Sequence, residues 1–297
     1  MRATVPVMAA SNSPSLILRD APPRVVWALE QAGVHPLLAR LYAGRGVRSV
    51  DELDDGLARL LDPAGLHGAP AAARFLTDAI GAGKRLFAYV PLTQLHYPTI
   101  PHQDFIGKSG WGDFADSLIE MDHRVGQLLD EIDALGIRDE TIVIFGSDNG
   151  PEFRRPWRGS SGVWRGTYHT AMEGSLRVPF MVRWPGHVAA GTVTNEIVHV
   201  TDMYPTLARI AGAEIPADRP IDGVDQLDFF LGRQEKSNRE GFIYFIKNEL
   251  RAVKWRQWKM HFIWEPEPNA GPIKLESPYL FNLIQDPKEE SDVLTPN

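Results

Sequence analysis

Two styles of hydrophobic patterning meet near residue 85. Upstream, short blocks of Ala, Leu and Arg place apolar residues three and four positions apart, the spacing that lines one face of a helix. It predicts helices over 24–32, ended by Gly33, and over 35–43, ended by Gly44. A third helix is expected over 50–61, with Ser49 placed to cap it and Pro63 to stop it. A fourth is expected over 71–80, closed by Gly81 and Gly83. Residues 1–19 are polar and short of aromatics, and are expected to form a mobile tail.

Downstream the pattern changes. Residues 86–92 are an apolar run of strand length, followed by a loop over 93–101. Phe114, Leu118, Met121, Val125, Leu128, Ile132 and Leu135 form one stripe of a long helix with Gly136 as its stop. Residues 141–145 are β-branched and apolar, the pattern of a strand inside a parallel sheet covered on both faces. A further strand is expected over 178–184, and Asp202 is placed to cap a helix that runs to Ala211 and ends at Gly212. Strand, helix, strand, strand, helix is an α/β order. From residue 241, segments 242–246, 251–253, 259–263 and 279–283 read as short strands of a small antiparallel sheet, with a final helix left open. The domain plan is thus a tail over 1–19, a helical module over 20–84, an α/β core over 85–240 and a C-terminal subdomain over 241–297. No internal repeat interrupts it.

Composition narrows the function classes. With 43% hydrophobic and 23% charged residues, the 297-residue chain is globular, not fibrous or disordered. No run approaches the roughly 18 apolar residues that a membrane span needs, so no membrane role is expected. The first 19 residues lack the basic start, apolar stretch and small-residue cleavage site of a secretory signal, which leads to a cytoplasmic expectation. Residues 1–85 carry ten Lys or Arg against eight Asp or Glu, and the remainder 21 against 30. The larger part would repel a phosphate backbone and the smaller is too weakly basic to bind one by counterion release, so nucleic acid is an unfavoured partner. The absence of cysteine removes disulfides, thiolate nucleophiles and cysteine zinc sites.

Candidate chemistry starts at Ser147-Asp148-Asn149-Gly150, which follows directly on the apolar segment 141–145. In open α/β sheets ligands bind outside the carboxyl ends of strands. A carboxylate and an amide oxygen there suit a hard divalent cation, calcium or magnesium, although Asp-Asn-Gly is equally an ordinary turn. His96, in a loop, can be a proton donor or a surface residue. Arg165 can grip an oxyanion through its fork of donors, or belong to an exposed basic loop with Arg154, Arg155 and Arg158. Glu173 and Arg177 are read as structural and paired with each other.

Six ordered stretches carry a resemblance. They are Tyr89-Val90-Pro91-Leu92-Thr93-Gln94-Leu95-His96-Tyr97-Pro98, Ser147-Asp148-Asn149-Gly150-Pro151-Glu152, Glu173-Gly174-Ser175-Leu176-Arg177-Val178-Pro179, Trp184-Pro185-Gly186, Asp202-Met203-Tyr204-Pro205-Thr206-Leu207 and Tyr279-Leu280-Phe281-Asn282-Leu283-Ile284-Gln285-Asp286-Pro287. Over residues 87–293 the chain resembles bacterial arylsulfatases, members of the alkaline-phosphatase-like superfamily. The resemblance implies an α/β fold: an incomplete sulfatase-like sheet with flanking helices, a small antiparallel C-terminal subdomain and, before it all, a helical module. It implies that Asp148 and Asn149 are metal ligands for calcium, that His96 contacts the sulfate and assists the leaving group, and that Arg165 stands where the family often places a sulfate-binding Lys. The implied substrate is a sulfate ester.

The family makes its nucleophile by oxidising a cysteine, or in some members a serine, in a Cys-x-Pro-x-Arg motif. The nearest imitation here, Asn12-Ser13-Pro14-Ser15-Leu16, has neither the oxidisable first residue nor the final arginine. The family's early Asp-Asp pair is also missing, since Asp54-Asp55 falls in an amphipathic helical pattern and reads as a solvated face. Residues 22–84 resemble the lead-in of RecJ-type single-strand DNA exonucleases, through Leu37-Leu38-Ala39-Arg40-Leu41-Tyr42-Ala43, Ser49-Val50-Asp51-Glu52-Leu53-Asp54 and Ala79-Ile80-Gly81-Ala82-Gly83-Lys84-Arg85, without that family's aspartate-rich metal motif. The expectation is a chimeric or truncated sulfatase, inactive alone. The alternatives are half of a two-chain sulfatase or a nucleic-acid-binding fragment. Apolar faces left by the missing part of the sheet are expected to be exposed.

Overall fold

The computed structural model describes residues 20–53, 68–152, 159–268 and 270–294. The tail over 1–19, Asp54-Asp55, the Ser-Pro imitation at 12–16 and the arginines at 154, 155 and 158 lie outside them. The chain divides into two units, Met1–Pro91 and Leu92–Asn297.

The first unit is helical. Helices α1 (Pro23–Gln31) and α2 (Pro36–Ala43) each start on a proline, whose missing N–H costs nothing in a first turn. The His35 ring accepts the Leu37 N–H and caps α2. Of the helix expected over 50–61, the described part is a single 3-10 turn, Val50–Leu53. Helix α3 (Ala69–Gly81) follows. The apolar run over 86–92 forms no strand, and Phe87 and Tyr89 are 77% and 81% exposed. An apolar run becomes a strand only where a second strand supplies its ladder, and among the described residues none does.

The second unit is built on α4 (Asp113–Ala134), the 22-residue helix whose stripe the sequence shows. Leu135 is its C-cap, and Gly136 follows with φ 68°, a left-handed stop. Strands β1 (Val143–Gly146) and β2 (Phe180–Arg183) form a two-stranded sheet. They pair antiparallel, Val143 opposite Arg183, which corrects the parallel-sheet expectation for 141–145. A β-branched apolar run records burial, not the direction of its neighbour, and burial here is only partial. Arg183 ties β2 to α4 through Asp133 at 2.7 Å. Among the described residues, the excursion between the strands carries one helical turn, α5 (Glu173–Leu176).

Helix α6 (Met203–Ala211) ends at Gly212, as expected, but Asp202 does not cap it by its side chain. That fully buried carboxylate instead accepts the His199 and Val224 N–H groups and pairs with Arg239, 2.9 Å away through Nε. A short α7 (Leu227–Phe230) precedes the C-terminal sheet. Its strands β3 (Gly241–Ile246), β4 (Glu249–Trp255), β5 (Trp258–Trp264) and β6 (Ile273–Asn282) form an antiparallel meander in sequence order. No helix follows β6 among the described residues. One face packs Tyr244 and Ala252 against Ala171. Among the described residues no helix is long and apolar enough to cross a membrane.

Candidate functional site

The loop after β1 is held by backbone contacts that only glycine allows. The Gly150 N–H donates to the Ser175 carbonyl at 2.7 Å, and the Gly174 N–H donates to the Arg165 carbonyl at 2.7 Å. A Cβ on Gly150 would lie 1.9 Å from the Gly174 carbonyl oxygen, and one on Gly174 would lie 2.5 Å from that of Gly166. This stack sets the Asp148-Asn149 loop beside the loop carrying Arg165. The Tyr168 N–H, donating to the Pro151 carbonyl at 3.0 Å, closes the arrangement from the other side.

Within it Asp148 is exposed and Asn149 half-buried. Asn149 donates its amide to the Gly150 carbonyl at 2.8 Å, so its side-chain oxygen keeps its acceptor capacity. A carboxylate and an amide oxygen are the right donor types for calcium or magnesium, but two side chains fall short of the six to eight oxygens that calcium takes. Among the described residues no cluster of three or more His, Cys, Asp or Glu could hold a metal ion. The donor type fits and the number does not.

His96 is exposed, and its Nδ1 lies 2.6 Å from the Tyr97 carbonyl. A carbonyl can only accept, so Nδ1 carries the proton and neutral His96 presents Nε2 as a bare lone pair. It can donate to a leaving group only as imidazolium. The segment that follows is strapped to the first turns of α4 by two buried carboxylates. Glu120 accepts the His102 N–H at 2.7 Å, and Asp116 accepts the Gly107 N–H, the Ser109 N–H and the Ser109 hydroxyl at 2.7, 2.8 and 2.6 Å. The Ser109 hydroxyl, then the Ser109 and Gly107 N–H groups, hold the Asp116 carboxyl below its usual range.

The Arg165 side chain contacts the C-terminal subdomain. Its Nη1 donates to the Glu289 carbonyl at 3.1 Å, and its guanidinium lies 5.3 Å from the Trp264 ring centre. No hydrogen bond or ion pair joins Asp148, Asn149, His96 and Arg165 to one another among the described residues. Backbone hydrogen bonds tie the Asp148 loop to α5 and α5 to the Arg165 loop.

Behind the site lies a buried ionic network that the sequence reading missed apart from the Glu173–Arg177 pair, which forms at 2.9 Å. Glu173 also binds Lys254 at 2.6 Å, Lys259 at 3.3 Å and the Tyr244 hydroxyl at 2.6 Å. Lys259 continues to Glu289 at 3.2 Å, and Glu289 binds His261 at 2.6 Å and the Glu173 N–H at 2.9 Å. Lys254 and Lys259 face each other across the β4–β5 register, a repulsive pairing that Glu173 resolves by placing one oxygen on each. Burial alone would raise the Glu173 carboxyl, but the Lys259 and Lys254 ammoniums outweigh it and hold it far below the carboxylate range. Glu289 behaves alike, through Lys259 and His261, whereas burial lowers the His261 imidazole. The only signal in the sequence is polar Lys254, Lys259 and His261 alternating with Val253, Trp258, Met260 and Phe262, which ordinarily marks the polar side as the wet one. Here the polar side is buried and the apolar side open: Lys259 and His261 are fully buried, and Trp255 is 51% exposed.

Comparison with known proteins bears on the family of the chain. A sulfatase family model matches residues 69–213, and the C-terminal N-sulphoglucosamine sulphohydrolase model matches residues 168–296. The first match begins upstream of residue 87 and takes in α3, which the sequence reading places in the RecJ-like segment. Arylsulfatase A of Bos taurus is 37% identical over 236 residues, covering 74% of this chain and 46% of its own length. Steryl-sulfatase of Rattus norvegicus is 33% identical over 237 residues, covering 70% and 41%. The crystal structure of a sulfatase from Pseudoalteromonas sp. superposes with a TM-score of 0.69 at 30% identity, covering 75% of this chain and 47% of that one. The chain spans about half the length of the curated relatives it matches. With two overlapping family models running from residue 69 to 296 and a superposable sulfatase fold, the chain belongs to the sulfatase family.

Proposed function

We propose that this chain provides the later half of an arylsulfatase-type site for sulfuric ester hydrolysis, and that it does not turn over an ester alone. The carrying observation is the Gly150–Gly174–Arg165 backbone stack, which supports a site with Asp148 and Asn149 on one loop and Arg165 on the next. In this reading Asp148 and Asn149 supply part of a calcium shell, magnesium being the alternative. When bound, the cation would neutralise charge on the ester oxygens. Arg165 contributes a cation for the sulfate group. His96, as imidazolium, protonates the departing oxygen through Nε2 while Nδ1 stays tied to Tyr97.

The sequence has no cysteine to become the nucleophile and no early aspartate pair to complete the shell. A second polypeptide carrying both would complete the site. This is the partner the reading calls for, and the extensive apolar exposure at Phe87, Tyr89, Phe180 and Met181 supports it. The test is turnover of 4-nitrophenyl sulfate in calcium. The chain alone is expected to match its Asp148→Ala variant at background, and to gain an Asp148-dependent rate only with a cysteine-containing sulfatase fragment. Turnover by the chain alone, clearly above that variant, would refute the proposal.

A further inference from the structure

The turn after β6 brings one residue, Glu289, against both α5 and the side chain of Arg165. Glu289 is fully buried and has φ 54°, a left-handed backbone that a non-glycine residue keeps only where its surroundings over-determine it. Those surroundings are in place. The Glu289 N–H donates to the Asp286 carbonyl at 3.2 Å, and the Asp286 carboxylate accepts the Glu290 and Ser291 N–H groups, each at 2.8 Å. The Glu289 carboxylate is anchored on β5, by Lys259 at 3.2 Å and His261 at 2.6 Å.

Three hydrogen bonds then close a ring through Arg165. Its Nη1 donates to the Glu289 carbonyl at 3.1 Å, the Glu289 carboxylate accepts the Glu173 N–H at 2.9 Å, and the Gly174 N–H donates to the Arg165 carbonyl at 2.7 Å. Glu289 therefore holds Arg165 twice, the guanidinium directly and the backbone by way of α5. Trp264 adds a wall 5.3 Å from the guanidinium, and that indole is itself stacked on Phe281 at 5.6 Å and set edge-on to His261 at 5.2 Å. The bond to Glu289 uses one of the five N–H donors of an arginine.

Resting on the reading of Arg165 as the sulfate cation, we propose that Glu289 is a positioning residue that acts through Arg165, holding its guanidinium ready for the sulfate group. A side chain already held loses little rotamer freedom when it takes an oxyanion, which is what the ring supplies.

The test uses the full chain with isotope-labelled arginine for NMR, and inorganic sulfate titrated in calcium. The Arg165 Nε–H signal is identified by its loss in Arg165→Ala. It is expected to stand resolved in wild type and to collapse into the free-arginine envelope in Glu289→Ala. Sulfate affinity should fall roughly three- to tenfold in Glu289→Ala, the worth of one immobilised side chain. In an Arg165→Ala background the same substitution should change nothing further, whereas a merely structural loss would persist there. Glu289→Gln keeps the shape and an acceptor for the Glu173 N–H but loses both ion pairs. It should fall between, and it carries the same comparison if the alanine variant does not fold.

An Arg165 signal unchanged by these variants overturns the proposal. So does a sulfate affinity that stays equal or rises where Arg165→Ala lowers it, or a Glu289 effect that survives in full without Arg165. Arg165→Ala separates the two ideas. If it binds sulfate no differently from wild type while the signal collapses in Glu289→Ala, Arg165 is not the sulfate cation and the hold by Glu289 stands. If it lowers the affinity while neither signal nor affinity responds to Glu289, the reverse holds.

Discussion

Replacing Glu173 by alanine tests whether the buried network organises the second unit. Glu173 is 1% exposed, and its two oxygens contact Lys254, Lys259, Arg177 and Tyr244. Truncation removes the anion shared by two ammoniums that face each other across the β4–β5 register; Lys259 keeps Glu289, but Lys254, 5% exposed, loses its carboxylate partner. Breaking a buried pair by removing one partner typically costs about 3–5 kcal/mol, because an uncompensated charge stays buried. At about 2–4 °C per kcal/mol for a unit of this size, the midpoint of thermal unfolding should fall by about 6–20 °C, followed by circular dichroism or tryptophan fluorescence. The double variant Glu173→Gln with Lys254→Met removes one charge of each sign and should recover part of the loss. A loss under about 1 kcal/mol for Glu173→Ala would refute the argument, and so would strictly additive effects in the double variant.

Two further outcomes follow from the same geometry. Gly150→Ala forces a methyl group onto the Gly174 carbonyl and should cost about 1–3 kcal/mol or more, whereas Gly126→Ala, inside α4 with open space around it, should stabilise by about 0.5–1 kcal/mol; urea midpoints check both, and the opposite order would contradict the backbone stack. Stability should fall on acidification. The Glu173, Glu289 and Asp202 carboxyls lie below their ordinary values in the fold, so their contribution is complete above about pH 4.3 and is lost as pH drops through their folded values. His261 is lowered by burial and starts the decline earlier, as pH falls below about 6.5; urea midpoints that rise from pH 7 to pH 4 would reverse the sign.

The local elements were legible to within a few residues. The stripe from Phe114 to Leu135 is α4, and the C-terminal strand segments are β3 to β6, because periodicity and turn residues act over a handful of neighbours. The family was legible too, from ordered motifs that lie at β1, α5, α6 and β6. Asp148 and Asn149 stand out because they follow a strand. Glu289 does not, because nothing around it in the sequence marks burial.

Contiguous residues decided where helices and strands begin and end, since their signals are backbone geometry and side-chain spacing. They could not decide strand direction for 141–145, the fate of 86–92, or which face of the C-terminal sheet is dry. Those depend on partners that the chain brings from afar: Glu173 meets Lys254 across 81 positions and Glu289 across 116, and Arg165 meets Glu289 across 124. Burial of a charge is decided by its counter-charge, and only the folded chain puts the two together.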